Sequence, residues 1–481
     1  MIAGAASVAA FAPLGFYPLM LVTLAWLARA WTTRPPRESF WLGFAFGLGL
    51  FGVGVSWVYV SLHTFGGMPP VLAAIATLLF CAFLALFPAG AGWLQARIPA
   101  GAAARACLIV PAAWTLFEWL RSWIFTGFPW LSLGYAAVGW PLQGYAPIGG
   151  VFALSFITVS LAGLLSLIAL PAPRRALSLG AIVAIAAGGE ALRHVEWSTP
   201  RTTQLSVALL QGNIEQSLKF DPARYERTLE SYARLAEDSR ARLVIFPETA
   251  LPRFLDQVDR AYLRRLDAVA ERNGGDLILG VPTRRSADEF FNSVITLGVS
   301  PIQAYHKLHL VPFGEFVPPG FAWTLRLVNI PMADFSRGSP DQRLLSVAGE
   351  QVAVNVCYED AFGNEIAARL PEATLLVNVS NVAWFGDSLA PAQHLQIAQL
   401  RAIETARMHL AATNTGITAA IDRDGRVLAR LPQFTEARLE ASARGYSGAT
   451  PYVRVRDWPA VLASLGLLAI ATLIARRRVS R

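Results

Sequence analysis

At 481 residues, with only 15% charged side chains and a positive mean hydropathy, the chain falls outside the usual composition of a soluble protein. Its net charge of +8 points to no nucleic-acid partner, because arginines flanking apolar segments account for it and no nucleic-acid-binding motif accompanies it. Three cysteines exclude a disulfide framework, all the more because Cys81 and Cys107 fall in apolar segments.

A helix needs roughly 20 mostly apolar residues to cross a hydrocarbon core of about 30 Å. Spans are predicted near 15–31, 40–62, 71–95, 106–122, 150–170, 176–193 and 458–475. The apolar first dozen residues, closed by Pro13, lack the basic start of a signal peptide and count as a short first span, which makes eight. Small residues such as Gly43 and Gly47 permit close helix packing, and Trp114, Glu118 and Arg121 are placed to meet lipid headgroups.

Arginines mark the cytoplasmic side. They follow every second span: Arg29, Arg34 and Arg37, then Arg97 and Arg105, then Arg174 and Arg175, and finally Arg476 to Arg478 with Arg481. The intervening loops are nearly free of positive charge. Residues 1–195 therefore read as a membrane domain, 196–455 as a globular domain on the outer face, and 456–481 as a last span with a basic tail.

Within the globular region short β-rich runs alternate with amphipathic segments. Strands are predicted at Leu205–Gln211, Leu243–Pro247, Asp276–Pro282, Asn292–Gly298, Val352–Val356, Thr374–Val379 and Leu410–Ile421. Asp221-Pro222 opens a first helix whose apolar stripe is Tyr225, Leu229, Tyr232 and Leu235. A second helix runs from Val258 to Arg272 and stops at Asn273-Gly274-Gly275; a third spans Ala392 to Arg407. Asp424-Gly425 reads as a hairpin turn. The sum is an α/β domain with helices covering sheets.

Three segments place a reactive side chain at a strand end. Val244-Ile245-Phe246-Pro247-Glu248 delivers a carboxylate from a buried run into a turn, although an exposed loop acid is the commoner fate of such a residue. Tyr305-His306-Lys307-Leu308-His309-Leu310-Val311-Pro312-Phe313-Gly314-Glu315 contains one of only two lysines in an arginine-rich chain, the other being Lys219. A site that requires a compact ammonium resists replacement by guanidinium. His306 and His309 give no metal signature. Val352–Val356 leads into Cys357-Tyr358-Glu359-Asp360; a lone cysteine is most often a buried structural one, but here polar residues follow it into a turn. A nucleophilic thiol needs a base and a donor for the oxyanion, and Glu248 and Lys307 are the groups that supply them.

Phe-Pro-Glu, His-Lys-Leu-His-Leu-Val-Pro-Phe-Gly-Glu and Cys-Tyr-Glu, in this order, resemble the nitrilase superfamily. Gln211-Gly212-Asn213-Ile214, Ser217-Leu218-Lys219 and Phe335-Ser336-Arg337-Gly338, flanked by apolar spans, narrow the resemblance to its membrane-embedded branch, the apolipoprotein N-acyltransferase family. The resemblance covers essentially the whole chain and implies an α-β-β-α sandwich for the outer domain. It implies a catalytic Glu248, Lys307 and Cys357, with Glu315, Tyr358, Glu359 and Phe220 in supporting or substrate-binding roles; Phe220 stands where the family often has Trp. It implies transfer of an acyl chain from a phospholipid to a diacylglyceryl apolipoprotein through a thioester, in the bacterial inner membrane with the catalytic domain periplasmic, with no cofactor and no metal. A membrane-tethered amidase using water as acceptor and an inactive scaffold or transporter are the rival readings. The apolar, Pro- and Gly-flanked segment from Pro318 to Met332 is expected to form a lid or membrane-dipping loop.

Overall fold

Strand-forming alternation across residues 196–455 builds two six-stranded sheets in the computed structural model, which describes residues 1–168, 171–286, 288–317 and 334–479. The strands are β1 (Thr199–Gln211), β2 (Leu243–Ile245), β3 (Asp276–Arg284), β4 (Phe290–Gly298), β5 (Ala304–His306), β6 (Leu345–Val347), β7 (Glu350–Val356), β8 (Leu375–Ser380), β9 (His409–Thr413), β10 (Ala419–Ile421), β11 (Val427–Arg430) and β12 (Ala437–Ser447). One sheet has the order β12-β1-β2-β3-β4-β5 and the other β11-β10-β9-β8-β7-β6. Each carries parallel pairs at its centre, β1 with β2 and β2 with β3 in the first, β7 with β8 and β8 with β9 in the second.

Alternate residues of a strand face opposite sides of a sheet. Val207, Leu209, Leu243 and Ile245 of the first sheet meet Val354, Val356, Val377 and Val379 of the second in one core between the sheets. The other face of the first sheet, with Ala208, Leu210, Val244 and Phe246, is covered by the helices Tyr225–Glu237 and Arg260–Arg272. The helix Ala390–Thr405 sets Ala398 and Ala402 against Ala419 and Ile421. This is the α-β-β-α arrangement. Asp221 caps Ala223 at the start of the first helix, as its Asp-Pro signal predicts. Leu410–Ile421, predicted as one strand, is two, because the chain turns back between β9 and β10 and pairs them antiparallel.

Contact density divides the chain into two units. Val60–Pro70 and Trp197–Ala449 form the sandwich unit; Met1–Tyr59, Val71–Glu196 and Thr450–Arg481 form the helical one. Among the described residues the chain has five helices long and apolar enough to cross a membrane: Pro70–Arg97, Ala102–Arg121, Pro141–Ser166, Ala172–Arg193 and Trp458–Arg477. The bent pair Pro36–Gly54 and Val58–Phe65 makes a sixth if taken as a single broken span. Tyr17–Thr32 has 16 residues, about 24 Å of helix, and the opening helix Ile2–Ser7 has six, about 9 Å.

Small residues do bring helices together, since a Cβ on Gly43 would lie 2.5 Å from the Pro88 carbonyl oxygen and one on Gly47 2.9 Å from Ala85 Cα. Trp114, Glu118 and Arg121 do not face headgroups. All three are buried. Glu118 Oε1 accepts from Trp114 Nε1 at 3.0 Å and from the Leu133 amide at 2.9 Å, while Arg121 donates to the Trp130 carbonyl at 2.6 Å. A buried charge must find partners of this kind, and these hold the non-helical stretch around Phe128–Leu133 instead of lipid. The expected lid from Pro318 to Met332 lies outside the described residues.

Candidate active site

Ligand sites in sheets with parallel strands lie beyond the strands' carboxyl ends. The sandwich unit follows this rule. β2 runs out through Phe246 and Pro247 into Glu248, β5 ends one residue before Lys307, β7 hands directly to Cys357, and β8 ends one residue before Asn381. Glu248 is 7% exposed and Lys307 1%.

Lys307 Nζ lies 2.8 Å from Glu315 Oε2 and 3.5 Å from Glu248 Oε1. Asn292 of β4 bridges the two carboxylates, its Nδ2 donating at 2.7 Å to each. The Asn381 amide donates to Glu248 Oε2 at 2.8 Å, and the Val311 amide to Glu315 Oε2 at 2.8 Å. Lys219 Nζ donates to the Glu248 backbone carbonyl at 3.1 Å, so both lysines of the chain converge on this glutamate.

These contacts fix the protonation states. Burial pushes the Glu248 carboxyl up, but Lys307, then Lys219, together with the Asn292 and Asn381 donors, outweigh it and hold the group below the usual carboxylate range. Burial would neutralise Lys307; Glu315, Glu248 and Cys357 prevail and keep it an ammonium. Burial brings Lys219 down to about 8 against the pull of Glu248 and Cys357. The Cys357 thiol is raised well above its ordinary value by burial and then by Glu248, with Lys307 opposing. The thiol therefore rests protonated beside an ionised carboxylate, which is the pairing a base-activated nucleophile requires.

Cys357 has φ 53°, a left-handed conformation that costs a non-glycine residue about 1–3 kcal/mol. Its carbonyl oxygen is held from two sides, by Asn378 Nδ2 at 3.1 Å and by His394 Nε2 at 3.2 Å. A carbonyl can only accept, so Nε2 of His394 carries the proton. The same Nε2 lies 3.7 Å from Asp360 Oδ2, and the other oxygen of that carboxylate is 2.9 Å from His409 Nε2. Burial lowers the His394 pKa despite Asp360, leaving a neutral imidazole.

Glu359 acts on the backbone. Its carboxylate accepts from the Leu308 amide at 2.7 Å, the His309 amide at 3.0 Å, the Val356 amide at 2.6 Å and Tyr305 Oη at 2.9 Å. One buried side chain thereby ties the segment after Lys307 to the turn that carries Cys357. Tyr358 is half-buried, edge-on to Phe362 at 5.1 Å and to His309 at 5.9 Å. Phe220 is half-buried next to Lys219, and among the described residues no ring contact ties it to Glu248, Lys307 or Cys357. Glu248, Lys307, Glu315 and Cys357 are thus brought together, and Glu359 braces them.

A further brace comes from far away in the sequence. Ser61 Oγ donates to the Trp384 carbonyl at 2.8 Å, and Phe65 meets the Trp384 indole edge-on at 6.2 Å. Trp384 follows Asn381 by three residues, so Ser61–Phe65 supports the loop whose amide reaches Glu248. Sequence reasoning singled out neither this contact nor Asn292, Asn381 and His394. Asparagines at strand ends and a serine in an apolar run carry no distinctive pattern, and Asn381 acts through its backbone.

Residues 3–164 match the Apolipoprotein N-acyltransferase N-terminal domain, and residues 206–451 match the Carbon-nitrogen hydrolase family. The apolipoprotein N-acyltransferase of Nitrosomonas europaea is 48% identical over 97% of this chain and 95% of its own. The chain belongs to the apolipoprotein N-acyltransferase family. A second member, from Methylococcus capsulatus, is 44% identical over 98% of this chain and 94% of its own. A carbon-nitrogen hydrolase structure from Helicobacter pylori aligns with 54% of this chain and 94% of that one at 16% identity and a TM-score of 0.39, too slight a likeness to build on. The two family regions correspond to the apolar first part of the chain and to the sandwich with its strand-end site.

Proposed function

We propose that the chain is a membrane acyltransferase that moves an acyl chain from a phospholipid to the N-terminal amino group of a diacylglyceryl-cysteine apolipoprotein. The observation that carries the reading is the buried Glu248–Lys307–Glu315 cluster acting on the Cys357 thiol, in a chain similar to named acyltransferases along almost its whole length. Glu248 takes the Cys357 proton as the sulfur attacks the ester carbonyl. Lys307 and backbone N–H groups near Cys357 stabilise the tetrahedral oxyanion, a role in which one donor contributes about 3 kcal/mol. Collapse breaks the ester C–O bond, the lysophospholipid oxygen takes the proton from Glu248, and a thioester remains on Cys357. The acceptor amine then attacks, Glu248 takes its proton, and the thiolate leaves and is reprotonated. Glu315 orients Lys307, Glu359 holds the two halves of the site, and Tyr358 and Phe220 contact substrate. No cofactor or metal takes part.

Both substrates are embedded by their acyl chains, which gives the apolar helices their purpose. In this reading residues 1–195 and 456–481 are the membrane domain, with eight spans of which the first dozen residues form a short first one, and 196–455 is catalytic. The arginine alternation supports a sandwich on the periplasmic side of the inner membrane. The segment from Pro318 to Met332 is the proposed lid.

Intact-protein mass spectrometry of the purified enzyme with phospholipid and no acceptor tests the reading. Wild type gains one acyl mass, a Cys357→Ala variant does not, and a diacylated lipopeptide removes it. Absence of the adduct on a reduced thiol, with turnover of simple amides, would select the tethered-amidase reading instead.

A further inference from the structure

The sandwich unit holds a cavity of about 620 Å³, lined by Arg285, Glu289, His306, Arg337, Gln342 and Arg343 among others. None of these residues belongs to the Glu248–Lys307–Cys357 cluster. The lining is unbalanced in charge, with three guanidinium groups against one carboxylate. That carboxylate is already taken, Glu289 Oε1 lying 2.9 Å from Arg285. Among the described residues Arg337 and Arg343 have no carboxylate within 4.0 Å. Arg337 instead rests against the Phe316 ring, 5.2 Å from its centroid, an arrangement that orients a guanidinium without neutralising it.

The backbone presenting these arginines has no regular secondary structure, yet it is firmly placed. The Phe335 amide donates to the Glu315 carbonyl at 2.8 Å, the Ser336 amide to the Phe290 carbonyl at 2.7 Å and the Gly338 amide to the Lys307 carbonyl at 2.9 Å. Gln342 grips His306 twice, accepting from its amide and donating to its carbonyl, both at 2.7 Å. A Cβ at position 338 would lie 2.2 Å from the His306 carbonyl oxygen, so only glycine lets the segment lie this close to β5. The Phe335-Ser336-Arg337-Gly338 motif is therefore a brace on the backbones of Glu315 and Lys307, and it carries Arg337 into the cavity.

We propose that this cavity is an anion site that takes a phosphate group on Arg337 and Arg343. Guanidinium forks match phosphate oxygens in geometry and stay charged at every relevant pH. The volume exceeds that of a bare phosphate and falls in the range of small-ligand pockets, leaving space for a substituent such as an alcohol esterified to it. The phosphate is either that of a lipid headgroup or a free ion. Through the bonds from Gly338 and Phe335 an occupied site stiffens the segment on which Lys307 and Glu315 rest. The proposal is independent of the acyl-transfer reading.

The test is titration calorimetry on the full chain in detergent at constant ionic strength, with chloride as the reference salt. Inorganic phosphate and glycerophosphoethanolamine, a soluble headgroup diester, are the probes. Wild type binds at least one of them, the double variant Arg337→Gln, Arg343→Gln binds it at least tenfold more weakly, and Arg337→Lys, Arg343→Lys, which keeps the charge but not the fork, falls between. Tighter binding of the diester assigns the site to a headgroup, and equal or tighter binding of inorganic phosphate assigns it to the free ion. No binding to wild type at millimolar concentration, or equal affinity in the glutamine variant, would overturn the proposal. Thermal unfolding of the variants without ligand, at the wild-type midpoint, guards against misfolding as the cause of lost binding.

Discussion

The two sheets contribute to the candidate site by different physics. The first supplies charge: Glu248, Lys307 and Asn292 come from or just beyond its strands, and Glu315 and Lys219 join them. The second supplies conformation: Cys357 sits at φ 53° and is held by an asparagine amide and an imidazole, with no formal charge at its carbonyl. An electrostatic half is sensitive to the identity of each ion, whereas a conformational half is sensitive to whether a donor is present at all. Substitutions can separate the two.

The largest effect is expected on the charged side. Lys307→Met leaves Glu248 and Glu315 buried without their cation, which costs about 3–5 kcal/mol and should reduce kcat/KM by roughly 10³-fold or more. Lys307→Arg keeps the charge but should not restore the rate, because a planar fork cannot replace a compact ammonium. Steady-state kinetics of both variants check this, and a wild-type rate in the arginine variant would sink the argument.

On the conformational side the effect is smaller. His394→Phe removes one donor to the Cys357 carbonyl, worth about 1 kcal/mol, and should lower kcat roughly five- to tenfold with KM unchanged. His394→Gln, whose amide also donates, should recover most of it. Smaller again is the change from Ser61→Ala or Phe65→Ala, which loosens the Trp384 loop; a fall in kcat of about threefold is expected from loss of one neutral hydrogen bond or ring contact. Rates insensitive to both would show that Ser61–Phe65 does not support Asn381.

The last prediction concerns pH. Lys219 is lowered to about 8 in the folded chain, from roughly 10.4 when unfolded. Between these values the unfolded state binds more protons, so this residue makes stability rise with pH across about 8 to 10.4. Below pH 8 the buried ammonium carries its full penalty, on the order of 3 kcal/mol. Lys219→Met should therefore melt higher than wild type at pH 7, and its advantage should shrink as pH rises towards 10. A difference in Tm that does not change with pH would remove Lys219 from the charge balance.

How much of this was legible depended on whether a residue announces itself by pattern. Glu248 and Cys357 each follow an apolar run, and an ionisable group at the end of such a run is visible; Lys307 is visible for another reason, as one of two lysines in an arginine-rich chain. β5 and β6 are three residues each, too short to show a period. β12 is eleven residues long but builds its alternation from Ala437, Ala441 and Ala443 against Arg438, Glu440 and Arg444, with none of the β-branched residues that mark a strand. Trp114, Glu118 and Arg121 misled because an aromatic and a charged pair near a helix end look alike whether they face lipid or a buried loop. The link from Ser61 to Trp384 joins residues 323 positions apart, and no local pattern can encode it.

The distribution of lysine has a consequence for acceptor choice. If a thioester forms on Cys357 and waits for an amine, every lysine on the enzyme's own surface would be a competing target. This chain has two lysines, 4% and 1% exposed, and the more buried of them is held as an ammonium without a free electron pair. An arginine-rich surface, whose guanidinium groups stay protonated and so do not attack thioesters, leaves the enzyme almost without acylable side chains of its own.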